Sequence, residues 1–133
     1  MRRAGFTMIE LIFVIVILGI LSAVAVPKMM GVSEKANAGV CKSFYSSLNK
    51  TVGPALWSNM AIDNDAVDVA FTTDTLATQI EVPANDKCGS AAQIVAGAVS
   101  GTDYTITIDS TNYDINATAA SSSAAPIWKF GKQ

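Results

Sequence analysis

Gly5-Phe6-Thr7-Met8-Ile9-Glu10-Leu11-Ile12-Phe13-Val14-Ile15-Val16-Ile17-Leu18-Gly19-Ile20-Leu21-Ser22-Ala23-Val24-Ala25-Val26 is the stretch that decides the fold. It follows Arg2 and Arg3 and holds one charge, Glu10, after which sixteen residues pass without another. From Phe6 to Val26 there are 21 residues. As a helix rising about 1.5 Å per residue this run reaches roughly 31 Å, the thickness of a bilayer's hydrocarbon core. An ionised carboxylate near one end of such a segment costs a few kcal/mol in lipid, so a chain that keeps one is expected to supply it with a partner.

Orientation comes from the flanking charges. Arg2 and Arg3 precede the run, and Lys28, Glu34 and Lys35 are the first charges after it. The positive-inside bias places the N-terminus in the cytoplasm and everything beyond Val26 outside. Three readings compete. A secretory signal peptide has its small-x-small cleavage site in Ala23-Val24-Ala25. Against it stand Glu10, which spoils the start of an h-region, and an apolar run longer than an h-region needs. A plain single-pass anchor fits the length but leaves Glu10 unexplained.

The third reading is a resemblance. Gly5-Phe6-Thr7-Met8-Ile9-Glu10-Leu11-Ile12, Val14 to Leu18, Gly19-Ile20-Leu21 and Ala25-Val26-Pro27 resemble the cleavage signal and N-terminal helix of the type IV pilin and type II secretion pseudopilin family. The resemblance covers about the first 30 residues. It implies that residues 1–5 are a leader ending at Gly5, removed on the cytoplasmic side by a prepilin peptidase. Phe6 is then the new N-terminus and the site of N-methylation. It also implies that Glu10 meets the ammonium of Phe6, in its own chain or in an adjacent subunit of a helical filament. Desolvation nearly offsets the attraction of such a pair, so its expected role is to set register. The implied partners are further copies of the chain, minor pilins or pseudopilins, the peptidase and an assembly platform in the bacterial inner membrane. From there the subunit passes into a periplasmic or surface filament.

After Pro27 the helical period persists. Met29, Val32, Ala36, Val40, Phe44, Leu48 and Val52 recur at spacings of three and four, with Lys28, Lys35, Lys42 and Lys50 opposite. Residues 6–27 therefore read as an apolar helix and 28–61 as its amphipathic continuation. The outer stripe needs a cover. Gly19 and Pro27 mark a kink or locally unwound stretch, because proline lacks a donor and its ring clashes with the Ala23 carbonyl. Gly53-Pro54 reads as a second break, with helix resuming over 54–60.

Residues 62–133 read as a small globular region. Tyr104 to Asp109 and Tyr113 to Ala117 alternate at period two around Ser110-Thr111-Asn112, a hairpin. Ile127 to Phe130 can return as a last strand. Ala91 to Val99 is ambiguous between helix and strand, and Ala119 to Ala125 reads as a loop. The fold class expected is α+β: a long N-terminal helix, apolar then amphipathic, packed on a small antiparallel sheet.

Composition narrows the chemistry. Two arginines and seven lysines face eleven carboxylates, a net charge of −2. Removal of Arg2 and Arg3 makes the balance more acidic still, which is not the footprint of a nucleic-acid binder. With no histidine, Ser-His-Asp and Cys-His nucleophile systems and histidine metal sites are excluded. No P-loop or CxxC is present, and no catalytic constellation can be assembled. Cys41 and Cys88, 47 positions apart on the exported side, read most simply as one disulfide, against two separate buried thiols.

Asp63-Asn64-Asp65-Ala66-Val67-Asp68 is an acidic loop without EF-hand spacing, so it reads as a solvated turn. The resemblance raises Ca²⁺ bound by C-terminal loops, but no carboxylate side chain follows Asp114. No cofactor is expected. The functional expectation is a structural filament subunit and not an enzyme, with a pseudopilin of a type II secretion or related machine favoured by the short C-terminal region. The alternatives are a minor pilin of a DNA-uptake pilus and an adhesive or motility type IV pilin.

Overall fold

A computed structural model of the chain describes residues 5–83 and 87–133. The chain divides into two units, Met1–Lys35 and Ala36–Gln133. Helix α1 spans Met8–Ser47. It starts at Met8 and not at Phe6 because Thr7 ends the extended segment: its carbonyl accepts from the amides of Glu10 (3.1 Å) and Leu11 (3.2 Å). Within the first unit the side chains stand free, from Phe6 (84% exposed) to Val26 (62%). The unwound stretch expected between Gly19 and Pro27 is not seen, since α1 is α-helical throughout it. One missing proline donor costs about 3 kcal/mol, a local loss that hydrogen bonds on either side can carry without melting a turn.

The second unit opens with the outer part of α1 and a π-helical segment, Leu48–Val52, which runs directly into α2, Gly53–Asp63. The break expected at Gly53-Pro54 is thus a widened turn. The Gly53 amide reaches back five residues to the Leu48 carbonyl, and Pro54, which has no amide hydrogen, falls in the first turn of α2. Glycine is required at 53: a Cβ there would stand 2.9 Å from the Leu48 carbonyl oxygen. Helix α2 ends where Asn64 adopts a left-handed conformation (φ 55°).

The acidic loop is shorter than expected, because Val67–Ala70 forms one turn of helix, α3. Helix α4 follows at Thr73–Gln79, with Thr72 and Thr75 exchanging the two hydrogen bonds of a capping box. The ambiguous segment is helix α5, Ala91–Ser100, capped in the same manner by Ser90 and Gln93 and closed by left-handed Gly101. Its alanines and Gly97 let it lie close on the sheet. A Cβ on Gly97 would come within 2.7 Å of the Trp128 indole nitrogen and 2.9 Å of the Ala117 Cβ.

The sheet is antiparallel, ordered β1 (Tyr104–Ile108), β2 (Thr111–Thr118), β3 (Ile127–Lys132). Ile108 pairs with Thr111, so the hairpin turn is Asp109-Ser110 and not Ser110 to Asn112. Both turn residues have positive φ (47° and 78°), the primed geometry that matches strand twist in a two-residue loop. The Asn37 amide donates to the Asp109 carboxylate at 2.7 Å, tying α1 to this turn.

Core residues come from every layer: Cys41, Phe44, Tyr45 and Leu48, then Val52 and Leu56, then Phe71, Leu76, Ile94 and Ala98, then Ile106, Ile108, Tyr113, Ile115 and Trp128. The expected stripe is buried at Phe44, Leu48 and Val52, and N-terminal to them the buried face of α1 rotates by one residue. Cys41 and Tyr45 are buried, whereas Met29 (69%), Val32 (62%) and Val40 (55%) are exposed and Ala36 is too. The rotation has a tertiary cause: Cys41 is bonded to Cys88, and the Tyr45 ring stacks on Phe130 at 5.9 Å.

Candidate processing and assembly segment

The segment is built by the start of α1. The Thr7 hydroxyl accepts from the Glu10 amide at 3.3 Å, so Thr7 is the N-cap and Glu10 the third helical residue. That is the Thr-x-x-Glu spacing of a capping box, a sequence signal that points to Thr7 and that the charge argument alone passed over. Glu10 thereby sits where the helix macrodipole favours a carboxylate. Phe6, Glu10, Leu11 and Val14 line one shallow depression on the helix surface, so the residue expected to become the new terminus and the lone acid share a face. Gly5 lies outside the helix and is exposed. The rest of the leader, residues 1–4 with Arg2 and Arg3, lies outside the described residues.

Met8–Val26 is long and apolar enough to cross a membrane, and none of it is buried by the chain itself. Gly19 has open space around it, and the Ser22 hydroxyl is satisfied within the helix by the Leu18 carbonyl at 2.7 Å. Ser22 thus needs no water, and Glu10 is the one ionisable side chain of Met8–Val26.

The second pair of predicted site residues is joined. Cys41 and Cys88 form a disulfide with Cα atoms 5.1 Å apart, both residues almost completely buried. Beside it the Tyr45 hydroxyl donates to the Cys88 carbonyl and shares a hydrogen bond with the Tyr104 hydroxyl at 2.8 Å. Burial pushes the Tyr104 phenol up to about 12, although its hydrogen bond with Tyr45 acts in the opposite direction. Burial, then the neighbouring Tyr104, raises Tyr45 further. Gly89, with φ 93°, completes this corner. A Cβ there would lie 2.8 Å from the Tyr104 ring. Among the described residues no group of three or more His, Cys, Asp or Glu side chains gathers in a way that could hold a metal ion.

Residues 1–26 match the family described as prokaryotic N-terminal methylation motif. The chain belongs to the type IV pilin and type II secretion pseudopilin family. Over 119 residues it is 31% identical to the type IV narrow pilus major component PilA5 of Thermus thermophilus, a match covering 90% of this chain and 84% of that protein. It is 56% identical over 36 residues to type II secretion system core protein G of Aeromonas hydrophila, 27% of this chain and 25% of that one. The protein of the same name from Pectobacterium carotovorum is 53% identical over 51 residues, 38% of this chain and 33% of that one. The chain thus spans a quarter to a third of these two secretion proteins. No solved structure matches it.

Proposed function

We propose that this chain is a structural subunit of a helical, type IV pilus-like filament, held in the bacterial inner membrane until a prepilin peptidase cuts between Gly5 and Phe6. The observation that carries the reading is an apolar helix, Met8–Val26, uncovered by its own chain and bearing one carboxylate at its capped start. In lipid, and later in a bundle of such helices, every side chain of that segment stays in apolar surroundings. Burial alone therefore cannot drive the transfer, and helix packing and charge matching must direct it.

Cleavage would leave a methylated ammonium on Phe6, beside the positive end of the helix dipole, where a cation is unfavourable. The Glu10 carboxylate, one turn away, offsets it in the same subunit or a neighbour. Loosening of the helix between Gly19 and Pro27 belongs to the assembled state in this reading. It calls for no catalytic group and no cofactor. Partners beyond further copies are the peptidase, an inner-membrane platform and minor subunits of the filament.

Within the class we favour a pseudopilin of a type II secretion or related machine, supported by the high identity to two core G proteins. The match across 119 residues to a narrow-pilus major component favours a second reading, the major subunit of a thin pilus. Mass spectrometry of the mature N-terminus tests the class. A methylated Phe6 is expected, whereas a terminus at Val26 would mean secretory cleavage and an intact Met1 a simple anchor. Electron microscopy of cells separates the two machines, long surface filaments of this protein supporting the pilus and their absence beside active secretion the pseudopilus.

A further inference from the structure

We propose that the outward face of α1 and its π segment docks a second copy of this chain, by receiving the acidic stretch from Asp63 to Asp68 of that copy. The inference rests on the filament reading above. Lys42 and Lys50 are exposed, Lys50 on the side of the helix away from buried Cys41, Phe44, Tyr45 and Leu48 and Lys42 on its flank. Between the lysines the surface is low. Gly39 and Ser43 are exposed, a Cβ on Gly39 would meet nothing within 4 Å, and the Ser47 hydroxyl is turned back onto the Ser43 carbonyl at 3.2 Å. Another chain can approach the helix backbone here with an ammonium on either side.

Charge along the chain is segregated in a way that names the occupant. Between Lys28 and Lys50 there are four lysines and one glutamate, whereas Thr51 to Pro83 holds Asp63, Asp65, Asp68, Asp74 and Glu81 and no basic residue. All five acids are exposed. Of these, Asp63 stands well along the helix axis from the lysines of its own copy. Lys50 and Asp63 are 13 residues apart on the continuous run of π segment and α2. At about 1.5 Å per residue this puts Asp63 roughly 20 Å beyond Lys50 and about 30 Å beyond Lys42. Copies inserted in one membrane with one orientation are parallel. A parallel neighbour shifted by roughly 20 to 30 Å along the helix axis brings its acidic stretch level with Lys42 and Lys50, and the same shift repeats from copy to copy. Such a contact is heterologous and does not close, which is the condition for a filament.

The test uses the full-length chain in cells carrying its assembly machinery. Lys42→Glu with Lys50→Glu, and separately Asp63→Lys with Asp65→Lys and Asp68→Lys, should each lower filament yield by about tenfold or more while cleavage at Gly5 continues, because each sets like charges against each other. Combining the two sets should restore assembly. Carbodiimide, which joins an amine to a carboxylate in contact, should link Lys42 or Lys50 to Asp63, Asp65 or Asp68 in mixed filaments of isotopically light and heavy subunits, as light–heavy pairs. Reversed variants that assemble normally, a combined variant that stays defective, or cross-links from these lysines to another protein would overturn the contact. Those outcomes leave wild-type filaments intact; a wild-type chain that makes none overturns the filament reading and this one together.

Discussion

Glu10 and Tyr45 each hold a polar group in apolar surroundings, with opposite solutions. Glu10 places its carboxylate on an exposed, lipid-suited surface, in the first turn of a helix that Thr7 caps and that begins two residues after the expected cleavage point. Glu10→Leu removes the charge while preserving length and apolarity, and the leader junction at Gly5 is untouched. We expect precursor cleavage at the wild-type rate and filament yield reduced by an order of magnitude or more, since loss of one member of a desolvated pair leaves the other uncompensated. Immunoblots of precursor and mature forms beside sheared filaments read both, and normal filaments from Glu10→Leu would remove the pairing. Tyr45 instead keeps its proton. Its hydroxyl satisfies the Cys88 carbonyl and Tyr104, so Tyr45→Phe should lower stability by about 1 to 3 kcal/mol at pH 7, the cost of an unpaired buried acceptor. Both phenols have folded pKa values above the unfolded value of about 10. A raised pKa means the folded state binds the proton more tightly, so this stability is fully present below pH 10 and declines as pH climbs from about 10 through 12. Urea midpoints of the detergent-solubilised protein at pH 7, 9 and 11 should show that decline, and Tyr45→Phe should flatten it. An alkaline limb of the same slope in the variant would assign the effect to other groups.

The π segment is the element that sets how helix and sheet meet. Asn49 within it faces the outer edge of β3, where its side-chain oxygen accepts from the Trp128 amide at 2.8 Å and its nitrogen donates to the Trp128 carbonyl at 2.7 Å. Helix and edge strand are thereby joined as two strands would be, and the open side of β3 is occupied at that point. Asn49→Ala should cost about 1 to 3 kcal/mol by orphaning two backbone groups, and Asn49→Asp, whose carboxylate would set a second oxygen against the Trp128 carbonyl, should cost at least as much. Chemical denaturation of the three proteins checks the order, and equal stability of all three would show the pairing to be incidental. None of this was legible from Leu48 to Val52, because a π turn has no residue pattern of its own and Pro54 reads as a plain break. What was legible followed from period: the apolar run to Val26, the alternation of Tyr104 to Ile108, and Ile127 to Phe130 as a strand. Helix α5 carried a usable signal in Ser90-x-x-Gln93, obscured by the mix of valine and alanine. Helices α3 and α4 are too short to show a period, and their place depends on Phe71 and Leu76 being drawn into a core made mostly by other elements. The rotation of α1 ahead of Phe44 has a similar origin, for Val40 and Cys41 are both apolar and it is Cys41 that the bond to Cys88 ties inward. At the processing segment Gly5, Phe6 and Glu10 stood out by sequence; Thr7 carried a signal in its spacing to Glu10 that an argument from charge passes over.

At the scale of the whole molecule, a thin core must hold against strong forces of assembly. Among the described residues seventeen hydrophobic ones are buried, from Cys41 to Trp128. The Cys41–Cys88 bond spans α2, α3 and α4, fastening α1 to the segment that leads into α5. Closing a loop of that length removes unfolded-chain entropy worth about 4 kcal/mol, a large part of the stability of a small domain. Such a bond persists in oxidising compartments and is rare in the cytoplasm. The double variant Cys41→Ala, Cys88→Ala should therefore lose about 4 kcal/mol, with some further loss for the space left between buried positions. The bond's burial makes a second, kinetic expectation. Cys41 and Cys88 are 1% and 0% exposed, so a reductant has no path to either sulfur until the unit opens. In dithiothreitol without denaturant, thiol labelling should rise at the rate of opening and stay independent of reductant concentration once that is high. With urea near the unfolding midpoint it should become fast. Labelling that instead climbs in proportion to dithiothreitol in the native protein would show the bond to be accessible in the folded state, and the corner formed by Tyr45, Gly89 and Tyr104 to be a looser cover than its geometry implies.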